Sequence, residues 1–153
     1  LCALVPVSTS REEAVLAALE HIEIDSLAYE AVEVGMKFKN KPASNLHDHY
    51  GDMSPVHSLN NLAVVVWAFL SFQDSFEETI GETICCGWDT DCTGATVGGL
   101  LGLDMGTIPS KWTDPWQGRV LTCIAGVGEL DLDQLVKRTC TLVEKFSSLP
   151  DSI

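Results

Sequence analysis

From Leu62 to Leu70 the chain reads Leu-Ala-Val-Val-Val-Trp-Ala-Phe-Leu, nine apolar residues without a break. A membrane span needs about 20 such residues, so this run is too short to be one. A helix that is apolar all round belongs in a protein interior. The run therefore predicts a buried helix over Leu59 to Phe72, started by Ser58. At 153 residues the chain is the size of one domain and can bury a sizeable core around that helix.

Helical periodicity dominates the rest, and no stretch shows convincing strand alternation. Ser10-Arg11-Glu12-Glu13 is a capping box ahead of Ala14 to Ile22, and Ser75-Phe76-Glu77-Glu78 is a second, followed by Ile80 and Ile84. Asp25 is placed to cap a helix through Phe38, and Lys39 to Val56 reads as a polar loop with Pro42, Gly51 and Pro55. A Gly-rich helix runs to about Gly102, with Gly94, Gly98 and Gly102 at four-residue steps. Such a stripe lets a neighbouring helix approach closely. After a loop with Pro109 and Pro115, one helix is expected near Gln117 to Ala125. A last one is expected over Leu132 to Phe146, with Leu135, Thr139, Leu142 and Phe146 on one face. The expectation is a single all-α unit over residues 1–153 with about seven helices.

Apolar residues make up 46% and charged residues 20%, the balance of a soluble globular chain. The net charge is −13, from 9 Lys+Arg against 22 Asp+Glu. That surface repels phosphate backbones and speaks against a nucleic-acid partner. It can still bind a phosphorylated small molecule through an intervening cation. The apolar opening Leu1 to Val7 has no basic region before it, so no signal peptide is expected. Cys2, Cys85, Cys86, Cys92, Cys123 and Cys140 form neither a CxxC pair nor a zinc spacing, and the reading is a reducing, cytoplasmic setting.

The chemistry sits before the Gly-rich helix, where Asp89-Thr90-Asp91 offers two carboxylates one residue apart. Carboxylates and hydroxyls are the hard ligands that magnesium, calcium and manganese prefer. On this spacing alone the plain reading is a helix cap by Asp91 or Thr93, with Asp89 in solvent. An EF-hand fails, because its twelfth position must be acidic and here is Leu100. His57, Asn60 and Asn61 stand at the start of the preceding helix, within reach of a cleft or simply as capping and loop-binding groups. Trp88 borders a pocket or is buried. His47 and His49 read as exposed loop residues, and Trp112 and Trp116 as packing for the Pro-containing loop.

Residues 87 to 102, Gly-Trp-Asp-Thr-Asp-Cys-Thr-Gly-Ala-Thr-Val-Gly-Gly-Leu-Leu-Gly, resemble the C-terminal signature of the ADP-ribosylglycohydrolase family. Pro6 to Ala14 is similar to that family's Ile-Pro…Ser…Glu-Ala helix start. Phe76 to Ile84 is similar to its helix before the metal loop, and Ile108-Pro109 with Trp112 to the loop after the glycine helix. The resemblance covers nearly the whole chain. It implies an all-α, multi-helix orthogonal bundle, the C-terminal half of the family fold. It further implies two Mg2+ ions, with Mn2+ as an alternative, held by Asp89 and Asp91 as metal-binding and catalytic carboxylates. Asp91 would bridge both ions and Asp89 bind one. Substrate-binding roles fall to Trp88, His57 and Asn60.

Two departures from the family pattern matter. The family's N-terminal Thr-Asp-Asp motif has no counterpart here, so the expected partner is a missing N-terminal half or companion chain. Cys92 also stands where the family has Thr or Ser, and a thiol suits magnesium poorly. Thr93 or a water then takes that place, or the metal is held more weakly. Without an assignable base, Cys92 is not read as a nucleophile. The resemblance implies hydrolysis of the glycosidic bond at the ribose of an ADP-ribose conjugate or related riboside. The other readings are a catalytically silent, crystallin-like relative and an acidic helical interaction module.

Overall fold

The computed structural model describes residues 1–73 and 75–147. The sequence reading takes residues 1–153 as one unit; in the structure the chain groups into two, Leu1–Ile108 and Pro109–Ile153.

The first unit is built on the apolar run. Helix α4 (Ser58–Ser71) contains it, and every side chain from Ala63 to Leu70 is buried. The Trp67 indole N–H donates to the Lys41 carbonyl at 2.9 Å, so the largest core side chain is buried with its polar atom satisfied. Helix α2 (Leu27–Lys37) lies along α4 at very short range. Gly35 permits this: a Cβ there would sit 2.7 Å from both the Ala63 carbonyl oxygen and the Val66 Cβ. Sequence reading looked for close packing in the later glycine stripe and passed over Gly35.

Helix α1 (Arg11–Leu19) begins as its capping box predicts, the Ser10 hydroxyl accepting from the Glu13 N–H at 3.1 Å. The return bond falls one residue earlier than in the standard box. The Glu13 carboxylate accepts from the N–H and hydroxyl of Thr9, each at 2.6 Å, and these bonds hold its carboxyl below the ordinary glutamate value. Helix α2 is capped by Ser26 rather than Asp25, because Ser26 is the residue flanking the first helical position. The stretch read as a polar loop contains a helix, α3 (Ser44–Tyr50), anchored by the fully buried Leu46. One apolar anchor in a seven-residue helix is too little periodicity to read.

Helix α5 (Phe76–Cys85) starts at Ser75 as predicted, and α6 (Thr90–Met105) follows. The glycine stripe of α6 faces isoleucines. A Cβ at Gly94 would meet Ile84 at 2.7 Å, whereas Gly98 and Gly102 leave ordinary contact distance to Ile80 and Ile108. Arg11 ties three helices together. It is 6% exposed, its Nε donates to Asp104 of α6 at 2.8 Å, and its Nη1 donates to the Phe69 carbonyl of α4 at 3.1 Å.

In the second unit, helix α7 (Ser110–Thr113) and a 3-10 turn lead to a hairpin, β1 (Arg119–Leu121) paired antiparallel with β2 (Glu129–Asp131), then helix α8 (Leu132–Ser147). The helix expected near Gln117 to Ala125 is not formed, and the expectation of no strand is corrected with it. Gln117, Gly118, Gly126 and Gly128 all adopt positive φ, which breaks a helix there and turns the chain back on itself. Val136, Leu142, Val143 and Phe146 of α8 are each more than half exposed. The fold class remains all-α, with eight α-helices among the described residues. None of them is long and apolar enough to cross a membrane.

Candidate metal centre

The junction of α5 and α6 is a tight reversal. Cys86 closes α5, and Gly87 (φ +83°) and Trp88 (φ +60°) both take left-handed backbone conformations before Asp89 opens α6. Glycine does this freely, but a tryptophan there costs about 1–3 kcal/mol and persists only where its surroundings hold it. Those surroundings are aromatic. The His47 ring lies on the Trp88 indole with centroids 4.2 Å apart, and Tyr50 meets it edge-on at 6.1 Å. His47 Nε2 also lies 2.7 Å from the Cys86 carbonyl oxygen. Because a carbonyl only accepts, that nitrogen carries the proton and donates.

Asp89 is the N-cap residue of α6, yet its side chain makes no capping bond. Asp91 and Cys92 follow in the first turn. One ligand atom from each of Asp89, Asp91 and Cys92 can be chosen so that all lie within 4.8 Å of one another. Among the described residues this is the one such grouping of three or more acidic, histidine or cysteine side chains. Asp89 is half-buried, and Asp91 and Cys92 are exposed. Contact with the Asp89 carboxyl, and then with the backbone N–H groups of the first turn, holds the Asp91 carboxyl below its ordinary value. The Cys92 thiol is pushed up, first by its hydrogen bond to Asp89 and then by the charges of Asp89 and Asp91. A protonated thiol is a weak ligand and a weak nucleophile.

The plain helix-cap reading named Asp91 or Thr93 as the N-cap, and neither holds that position. Thr93, offered from sequence as a stand-in hydroxyl for the metal, is 1% exposed and donates to the Asp89 carbonyl at 3.0 Å. Its oxygen serves the helix backbone. Leu100, at the twelfth position of the discarded calcium loop, lies in the core at 3% exposure. The donor set therefore fits a hard divalent cation through two carboxylates, with a thiol in place of the third oxygen.

The polar residues at the start of α4 separate into different roles. His57 is the exposed N-cap of α4, its Nδ1 accepting from the Leu59 N–H at 3.2 Å. Asn60 is fully buried, and its amide donates to the Ser54 carbonyl at 3.1 Å. Asn61 reaches the cluster itself, its Oδ1 accepting from the Asp89 N–H at 3.2 Å. His47 was read as an exposed loop residue; it lies on α3 against the Cys86–Trp88 turn. No sequence signal links position 47 to position 88, since the contact depends on α3 forming and on where it docks. In the second unit, Trp112 and Trp116 remain 37% and 49% exposed.

All six cysteines are free. Cys86 is buried, and burial with the nearby Glu82 charge pushes its thiol up to about 11.

Neither a curated protein nor a solved structure matches the chain. The sequence model of the ADP-ribosylglycohydrolases matches residues 2–147, which takes in α1 to α8, the α5–α6 reversal and the carboxylate cluster alike. With the signature and the helical fold both in place along that length, the chain belongs to the ADP-ribosylglycohydrolase family.

Proposed function

We propose that the chain takes part in metal-dependent hydrolysis of the glycosidic bond at the ribose of ADP-ribose conjugates, its own residues forming one side of a two-metal site. The observation that carries this reading is the convergence of Asp89, Asp91 and Cys92 at the start of α6 in a chain of this family. A further segment or companion chain would supply the other side.

Asp91, exposed on the first turn, and Asp89, half-buried, would hold the metal, and by the family resemblance Asp91 would serve both ions and Asp89 one. The chemistry that bound Mg2+ or Mn2+ supplies is Lewis-acid binding of the ribose hydroxyls and activation of a water. Departure of the leaving group builds oxocarbenium character on the ribose, so carboxylates held beside it also offset developing positive charge. Trp88, held by its tilted ring contact with His47, borders the cluster from the preceding residue. The Cys92 thiol favours weaker magnesium binding than a hydroxyl would give. It is the observation behind a second reading, a relative that keeps the fold without the chemistry.

Calorimetric titration with MgCl2 at fixed pH tests the proposal. Removing a carboxylate that touches both ions should weaken binding by more than the roughly 10- to 100-fold typical for loss of a ligand's supporting group. Asp89→Asn should lose less than Asp91→Asn, and Cys92→Thr should bind as well as the parent or better. If Asp91→Asn binds magnesium as the parent does, the metal assignment is wrong. ADP-ribose binding then separates an active relative from a silent one.

A further inference from the structure

We propose that Asn61 and His47 are positioning residues for the carboxylate cluster, bracing from two sides the reversal that carries Asp89. The role assigned to them rests on the metal reading of that cluster.

Asn61 is 9% exposed, and both its oxygen and its nitrogen have partners. The Oδ1 accepts from the Asp89 N–H at 3.2 Å, while Nδ2 donates to the carbonyls of Pro55 and His57, each at 2.8 Å. This fixes the orientation of the amide: flipped, it would set NH2 against an N–H and its oxygen against two carbonyls. It also fixes the residue type. Aspartate would keep the acceptor but point an unprotonated oxygen at two carbonyls, and leucine, of similar size, would take the side-chain partner from the Asp89 N–H and the Pro55 carbonyl, leaving the His57 carbonyl only the Asn61 backbone N–H at 3.4 Å. Asn61 thus clamps the 55–57 segment to the first residue of the cluster, from a helix whose next nine residues are largely core.

His47 acts on the other end of the same turn. It donates to the Cys86 carbonyl at 2.7 Å and covers Trp88 with its ring. Between these two contacts lie only Gly87 and Trp88, both left-handed. Two adjacent residues in that region have alternative backbone wells nearby, and moving either one re-aims the Asp89 carboxylate. The N–H bond at Asp89 and the carbonyl bond at Cys86 pin the peptide units on both sides. Asn60 is tied to Asn61, its Oδ1 accepting from the Asn61 N–H at 3.0 Å and from Asn61 Nδ2 at 3.3 Å, so the internal control is Gln73, whose amide donates to the Leu70 carbonyl at the other end of α4.

The test uses the whole 153-residue chain and two measurements. Without metal, NMR hydrogen exchange of the Asp89 amide should quicken at least about tenfold in Asn61→Ala and change little in Gln73→Ala. With Mn2+ added, paramagnetic broadening of the 89–92 amides gives a Kd for each protein. Asn61→Ala and His47→Ala should each weaken it by about 10-fold or more, the usual scale for groups that orient metal ligands. Gln73→Ala should stay within about threefold of the parent. His47 is exposed, so its variant carries the test should Asn61→Ala fail to fold. The proposal is overturned if both positioning variants keep the parent Kd, or if Gln73→Ala weakens binding as much as Asn61→Ala. A parent that binds no Mn2+ sinks the metal reading instead, recognisable because the Asp89 amide still loses protection in Asn61→Ala.

Discussion

Truncating the two ends of the Arg11–Asp104 pair should have unequal effects, and removing both should be milder than removing Asp104 alone. The Arg11 side chain is 5% exposed and that of Asp104 is 27%. Asp104→Ala leaves a guanidinium that cannot deprotonate, held by the Phe69 carbonyl and the Phe69 ring 4.9 Å from its centre. Removing one partner of a buried pair costs about 3–5 kcal/mol. The carbonyl, the ring and the water admitted where Asp104 stood reduce this to about 3 kcal/mol. Arg11→Met keeps the apolar stem, lets Asp104 hydrate, and leaves one buried carbonyl without its donor, for about 1–2 kcal/mol. The double variant leaves no buried charge and should also lie near 2 kcal/mol, so the second substitution rescues the first. Urea unfolding followed by far-UV circular dichroism measures all four proteins, provided the slope against urea is unchanged. Additive losses, with the double variant weaker than Asp104→Ala, would refute the reasoning.

The Gly35→Ala variant places a methyl 2.7 Å from an α4 carbonyl oxygen and from Val66. Overpacking of about 1–3 kcal/mol should outweigh the gain in helix propensity of nearly 1 kcal/mol, and a thermal midpoint equal to or above the parent's would contradict this. Glu13 should titrate below the ordinary glutamate value by NMR, and Thr9→Val should raise it. Since the folded value is the depressed one, this bond's contribution to stability is present above the unfolded pKa and fades as pH falls through the folded pKa. A Glu13 titration unmoved by Thr9→Val would show that the hydroxyl bond is not its cause.

Much of the site was readable from sequence because its donors are neighbours in the chain. Asp89, Asp91 and Cys92 lie within four residues at a helix start, so their convergence needs only that α6 begin where the glycine-rich periodicity says it does. What each side chain does there was less readable. Thr93 carries the hydroxyl that sequence reading sought, but position 93 faces the core and its oxygen bonds the preceding turn. Asn60 and Asn61 look interchangeable as letters. One residue, about 100° of helical phase, separates an amide that reaches the Ser54 carbonyl and its neighbour from one that holds the loop and the cluster together.

The sequence by itself determined the core helix, both Ser capping boxes, the all-α class and the carboxylate pair. Each is a local property: an apolar run, a side chain reaching a backbone N–H three residues on, a periodicity, a spacing. Only the tertiary structure decided the rest. The α2–α4 contact that makes Gly35 necessary, the burial of Arg11 against Asp104 across 93 residues of chain, and the His47–Trp88 ring contact all join segments with no mutual signal. The hairpin at Arg119–Leu121 and Glu129–Asp131 belongs with them. Three-residue strands are too short for a pattern, and their backbone groups become satisfied only once the partner strand is in register.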